Sequence, residues 1–281
     1  MSQLLPPPEL IPDVSFEAVR DRLVANIAED FRVNSIPYTT LSIQADPLRR
    51  SLETYSADVT NTKIAFNDQW VLHFVRYSSG QALDELAAYY DVSRMIDEGD
   101  DRLKKRLLLH IAGRSAAGPK ERYQALCMDA DIRVRDVEVW RDEIDPTLHV
   151  AILSSIPGGI APQDLLDAVE AYIDHPERMV TSERFTFSSA VKRLVNVELD
   201  VWLFEYARNS EATDLETSLP NLWDKEDLLG LDLTHAWLID NARGNGVNNV
   251  RVVQPSDDMV ALPNEAIGIG SLKVNVRGRG R

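Results

Sequence analysis

Hydrophobic positions recur along this chain in two rhythms, helical at first and strand-like later. Phe16, Val19, Leu23 and Ile27 lie on one stripe of a helix that runs from Phe16 to about Phe31. Asp46-Pro47 then offers an N-cap and a first-turn proline to a long helix. Its apolar positions are Leu48, Leu52, Tyr55, Val59, Phe66 and Trp70, followed by Val71 and Phe74. These alternating steps of three and four resemble a coiled-coil seam, broken at Thr62. At roughly 28 residues the helix would be about 40 Å long. A narrow seam of that length needs a partner, and an intramolecular bundle and a second chain are equally open as its source. Ser78-Ser79-Gly80 ends the element, and a short helix follows with Leu83, Leu86, Ala87 and Tyr90 on one face. The acidic stretch Asp97 to Asp101 precedes a helix from Arg102 to about Ala112, an order that suits the helix dipole.

From residue 113 onward, alternation enters. Ala117-Gly118-Pro119 predicts a turn into a helix bearing Tyr123, Leu126 and Cys127. Val137 and Val139 alternate with polar neighbours, as do Leu148, Val150 and Ile152. The turn residues Asp142 to Pro146 join these two strands as a hairpin. Pro162 opens a helix with Leu165, Leu166, Val169, Tyr172 and Ile173 on one face. Residues 184–190 alternate as a strand, and Val195, Val197, Leu199, Val201 and Leu203 form the clearest strand of all. Residues 211–229 read as a helix interrupted near Pro220, and residues 231–239 as a short strand-to-helix unit. Gly244 and Gly246 turn into Val250, Val252 and Val253, with Met259 and Val260 and then Leu272, Val274 and Val276 beyond. The expected fold class is α+β and multidomain, a helical N-terminal region followed by two α+β domains. The boundaries fall at a Pro-rich extended arm (1–15), a helical bundle region (16–112), a central α+β domain (113–183) and a C-terminal α+β domain with a basic tail (184–281).

Composition narrows the function classes. The 281 residues are 44% hydrophobic and 27% charged, with a net charge of −15 that argues against nucleic acid and anionic membranes as partners. A single cysteine, Cys127, permits no intramolecular disulfide, and its place on the apolar side of a helix makes it a buried, inert thiol. The start, MSQLLPPPELIPD, has neither a basic n-region nor a continuous apolar h-region, so no secretory signal is expected. No run of about 18 apolar residues predicts a membrane span, and the expectation is a protein folded in a cytoplasm. Pro6, Pro7, Pro8 and Pro12 favour a polyproline-like arm that lies along a partner's groove, with Leu10, Ile11 and Phe16 as further contacts. The histidines, His73, His110, His149, His175 and His235, show no metal-ligand spacing. Asp100 and Asp101 fit a solvated helix start better than a metal site. Phosphate-binding, dinucleotide and nucleophile-elbow motifs are absent, so no catalytic residue, metal, cofactor or small-molecule substrate is expected. Arg277, Arg279 and Arg281, spaced by glycines, form a flexible tail or dock on an acidic neighbour rather than on nucleic acid.

These residues, taken in order, resemble the baseplate J-like family, wedge proteins of contractile phage tails and related injection systems. Pro-Pro-Glu-Leu-Ile-Pro-Asp with Phe16-Glu17 resembles that family's Pro-rich start and helix opening. Leu83-Asp84-Glu85-Leu86-Ala87 with Tyr90 through Arg94, then Glu98 to Arg106, resembles its "LD.LA..Y.V.R" segment and the acidic entry to an Arg-containing helix. Ser115-Ala116-Ala117-Gly118 with Tyr123, Val134-Arg135-Asp136-Val137, Leu153-Ser154 and Asp164 through Val169 follow in the family's order. So do Leu229-Gly230, Asp232, Val247, Val250 and Pro255. Pro119 stands where the family has Ser, and Met179 and Ser182 replace Pro and Asp of its "RP.TD" turn. The resemblance implies a non-enzymatic structural subunit of the virion tail baseplate. It implies assembly with a second copy, with other wedge subunits (a tail protein I-like chain and a small lysozyme-related wedge protein), and with neighbouring wedges, tail fibre or sheath. The resulting ring around the tail hub would rearrange to trigger sheath contraction. The seam from Leu48 to Trp70 is then the inter-subunit bundle, and the Pro-rich arm a groove-lying contact. The alternative is a tail-associated, glycan-directed hydrolase or binding protein, which a clustered pair of buried carboxylates in a deep cleft would favour.

Overall fold

The computed structural model describes residues 6–280 apart from 13, 116–117, 143–145, 177, 179–183, 209, 227 and 245. The chain forms two compact units, one of residues 1–94 with 99–104 and one of 95–98 with 105–281. The turn positions at Ala116-Ala117, within Asp142 to Pro146, and at Met179 to Ser182 lie outside the described residues, as does Arg281.

The first unit is helical. α1 (Phe16–Val33) starts at Ser15, whose hydroxyl accepts from the Ala18 amide at 3.3 Å. α2 (Pro47–Val71) is 25 residues long, slightly shorter than its pattern predicts, and packs along α1. Asp46 caps it: Oδ1 accepts from the Leu48 and Arg49 amides at 2.9 and 3.1 Å, and the carboxylate also takes the Tyr38 and Thr40 hydroxyls. The residues of α2 withdrawn furthest from solvent are small, Ser56 and Thr60. Their hydroxyls donate one turn back, to the Leu52 and Ser56 carbonyls at 2.6 and 2.7 Å, so burial leaves neither unsatisfied. α3 (Gly80–Ala88) buries Leu83 and Ala87. Arg94 pairs with Asp84 and with Asp100 at 2.6 and 2.7 Å, and Asp100 also accepts from the Gly80 amide. Asp100 is thus an ion-pair partner. It opens α4 (Asp100–Ala112), which contributes residues to each unit.

The second unit carries two three-stranded mixed sheets. The first has the order β1-β2-β3, from β1 (Val134–Arg141), β2 (Leu148–Ser154) and β3 (Phe185–Ser189). β1 and β2 form the antiparallel hairpin their alternation predicts, with Val139 opposite Val150, while β3 runs parallel to β2. α5 (Lys120–Ala130) and α6 (Gln163–Ile173) cover it, burying Tyr123, Cys127, Leu165 and Val169 with Val137 and Ile152. The second sheet has the order β5-β4-β6, from β4 (Val191–Phe204), β5 (Val247–Gln254) and β6 (Glu265–Gly280). All five alternating apolar residues of β4, Val195 to Leu203, face the core under α7 (Ser210–Glu226) and α8 (His235–Ala242).

Three local expectations change here. α7 is not interrupted at Pro220 but runs through it. Proline removes one helix hydrogen bond, yet Leu215, Leu219 and Trp223 are buried on the same helix, and the Trp223 indole donates to the Ile267 carbonyl at 2.6 Å. That anchoring outweighs a lost bond. Met259 and Val260 form no strand; Met259 makes a single bridge to Leu233. The arginine-glycine end is no flexible tail, because β6 continues in parallel register with β4 as far as Gly280.

The two sheets share one length of chain. Between β3 and β4 only Ala190 intervenes, and its amide donates to Ile152 of the first sheet at 2.8 Å. The next amide, Val191, donates to Asn264 beside the second sheet at 2.9 Å. A small apolar cluster of Ala151, Leu153, Ala190, Leu229 and Ala266 fills this joint. Beside it the Asp136 carboxylate accepts from the Leu229 amide at 3.0 Å and from the Lys105 ammonium.

Arg106 is 3% exposed and is held between Glu98 at 2.7 Å and Asp129 at 2.8 Å. Replacing it with Leu strands the buried Glu98 charge, and should cost about 3–5 kcal/mol in a thermal or urea unfolding measurement. Arg106→Leu combined with Glu98→Leu should recover part of that loss, since the fully buried carboxylate is gone while Asp129 keeps only His110 beside it. At α2, the Thr40 hydroxyl, then Tyr38 and the Arg49 and Leu48 amides, hold the Asp46 carboxyl below its ordinary range against the opposing effect of burial. Its contribution is complete above the ordinary carboxylate value of about 4 and is lost as pH falls through the depressed folded value. Asp46→Ala should therefore lower the melting temperature at neutral pH, and the gap to the parent should close in more acidic buffer.

Candidate assembly surfaces

The Pro-rich arm lies against α2 of its own unit. Asn67 clasps it: its Oδ1 accepts from the Ile11 amide at 2.8 Å, and its Nδ2 donates to the Ile11 carbonyl at 2.9 Å. A side chain here satisfies both backbone groups of Ile11, as a neighbouring strand would. Pro6, Pro7 and Pro8 with Val14, Ile64 and Val71 border a groove of about 330 Å³. Leu10 and Pro12 face solvent, while Phe16 is half-buried with the Arg20 guanidinium 5.7 Å from its ring.

The six seam residues of α2 fall into two groups. Leu48, Leu52, Val59 and Trp70 are half-buried, whereas Tyr55 is 58% exposed and Phe66 56% exposed. Tyr55 and Phe66 are eleven positions apart, about three helical turns, so they share one line along the helix roughly 16 Å apart. Trp70 sits at the end of this region, edge-on to Phe74 with centroids 5.6 Å apart. The stripe that packing withdraws from solvent runs through Ser56 and Thr60, beside the predicted seam. Sequence reading passed over it because both residues are polar; their four-residue spacing was the available signal.

The outer face of the second sheet is a charged ladder. Glu198 accepts from Asn275 at 2.7 Å and Lys273 at 3.2 Å, and Asp200 accepts from Arg277 at 2.8 Å. Asn275 and Lys273 hold the Glu198 carboxyl below its usual range. Arg279 donates to the Glu205 and Ala207 carbonyls at 3.0 and 2.7 Å. The acidic neighbour on which the basic end docks is thus its own sheet. Beyond the ladder Tyr206 stacks on Phe204, with centroids 5.3 Å apart, and is 80% exposed.

The residues weighed for chemistry have structural surroundings. Cys127 is fully buried, which pushes its thiol well up from the ordinary value and removes it as a nucleophile. His149 stacks on Trp140, His235 lies 2.8 Å from the Pro255 carbonyl, and His110 lies 2.8 Å from Asp129. No three His, Cys, Asp or Glu residues gather into a metal-holding group among the described residues. No helix among them is long and apolar enough to cross a membrane. A cavity of about 460 Å³ beside α7 and α8 is lined by two carboxylates, Glu211 and Asp214. Asp214 is open to solvent, while one Glu211 oxygen is buried without a hydrogen-bond partner. The two are not the jointly buried pair that the hydrolase reading asks for.

No known family profile matches this chain. It is similar to Baseplate protein J of Escherichia phage P2, with 22% identity over 288 residues, 93% of this chain and 92% of that protein. Among solved structures it is similar to a chain of the six-fold symmetrised anti-feeding prophage baseplate, at 11% identity and a TM-score of 0.46. That alignment covers 65% of this chain and 43% of the longer one. The similarity to the phage P2 protein extends along nearly the whole chain.

Proposed function

We propose that this chain is a structural, non-enzymatic subunit of a contractile-tail baseplate. The observation that carries this reading is the end-to-end similarity to a baseplate protein J. Within that role we assign it to the wedge. It assembles there with a second copy and with other wedge proteins, a tail protein I-like chain and a small lysozyme-related one, in a ring around the tail hub. The exposed line of Tyr55 and Phe66 and the outward prolines of the arm support this reading, because apolar helix surface of this kind is what protein interfaces cover. The arm (1–15), the helical region (16–112) and the two α+β domains (113–183 and 184–281) are its working parts. Contraction then works as a change between two packings of the same domains as the ring widens.

Co-expression with the neighbouring tail proteins, followed by light scattering on what co-purifies, tests the assignment. A discrete heteromer containing two copies of this chain is expected. Tyr55→Asp with Phe66→Asp should weaken that assembly by roughly 30-fold or more, the loss of about 2 kcal/mol at a central contact, while leaving the isolated chain folded because both positions face solvent. A monomer that ignores every tail protein would overturn the reading. The switching part is separable: cross-links from this subunit, mapped before and after contraction, should differ, and identical maps would remove it.

A further inference from the structure

Where the end of α4 approaches α5, the second unit gathers positive charge in a way the baseplate role does not require. Gly113 follows α4, and a Cβ there would fall 2.7 Å from the Arg122 backbone, so only glycine lets the chain pass this close. Arg122 lies in the first turn of α5, and its Nη2 donates to the Arg178 carbonyl at 3.2 Å. Arg178 is itself fixed beyond α6. Its Nη1 donates to the Tyr172 carbonyl at 3.0 Å, and its guanidinium sits 3.7 Å above the Tyr172 ring.

A cavity of about 330 Å³ opens between these parts, lined by Arg114, Arg122, Arg178 and His110 over a floor of Ala125 and Leu126. Among the described residues no carboxylate lines it. Asp129, the acid bonded to His110, is also taken by Arg106. The Arg122 Nε is buried without a hydrogen-bond partner. Guanidinium groups stay charged at any accessible pH, and a buried N–H without an acceptor is costly. Their forked donors match an oxyanion, which they hold by paired, charge-assisted bonds. The chain as a whole carries −15, so convergence of three arginines on one cavity runs against its average composition.

We propose that this cavity is an oxyanion-binding site, taking a carboxylate or phosphate group on Arg122 and Arg178, with Arg114 at the rim. The shared chemistry is a compact anion with two or more acceptor oxygens. It is supplied either by a free anion or by an acidic side chain of a neighbouring subunit.

Calorimetric titration of the full chain with inorganic phosphate, and separately with acetate, against sodium chloride at matched ionic strength tests the site. Saturable binding with one equivalent is expected, weakened tenfold or more in Arg122→Gln. Arg243→Gln, which changes an arginine outside this cavity, should bind as the parent does. No saturable binding, or equal binding by a folded Arg122→Gln, overturns the proposal. In the unaltered chain the backbone amide resonances of Gly113, Arg122 and Arg178 should shift together as phosphate saturates; if they stay still, the site is elsewhere. Phosphate that disrupts the co-purified assembly identifies a neighbour's carboxylate as the natural occupant, and an undisturbed assembly identifies a free anion.

Discussion

The arrangement of the second unit hangs on one alanine. Ala190 is the only residue between a strand at the edge of one sheet and the central strand of the next, and its amide already belongs to the first sheet. The chain has no slack there, so the orientation of either sheet constrains the other. Ala151, Leu229 and Ala266 pack around Ala190 with little side-chain volume, and a larger residue would have to push two hydrogen-bonded ladders apart. Asp136 closes the joint from the side by satisfying the Leu229 amide.

Burial of charge supplies a second constraint of a different kind. The Glu98–Arg106–Asp129 group ties the segment before α4 to α4 and α5. Such a group adds little net stability compared with an apolar replacement, but it tolerates only one geometry. The acidic entry and the arginine spaced eight residues on, which carry part of the family resemblance, are thereby given a physical role. The pair is buried structure, and no chemistry is asked of it.

Much of this was legible in the chain itself. Period and capping residues placed α1, α2, the β1–β2 hairpin and the buried alternation of β4, because each depends on residues a few positions apart. The Asp46-Pro47 start and the inert Cys127 follow from the same local logic. What failed was also local in origin. Pro220 reads as a helix breaker only while the helix is considered alone; Leu219 and Trp223 keep it intact through contacts that appear once a sheet lies beneath them.

The sequence by itself therefore determined the elements, the hairpin, the alternation of faces and the order of residues that points to a baseplate protein. Tertiary structure alone decided which strands pair at long range, as β4 and β6 do in parallel across more than seventy residues. It decided that Arg277 and Arg279 are strand residues docked on β4 and its following turn, that Ser56 and Thr60 rather than Tyr55 and Phe66 are withdrawn from solvent, and that Arg114, Arg122 and Arg178 meet. The reason is one of range. A side-chain period is set by neighbours on the same turn or pleat, whereas a partner dozens of residues away is chosen by competition among all the surfaces the chain could bury.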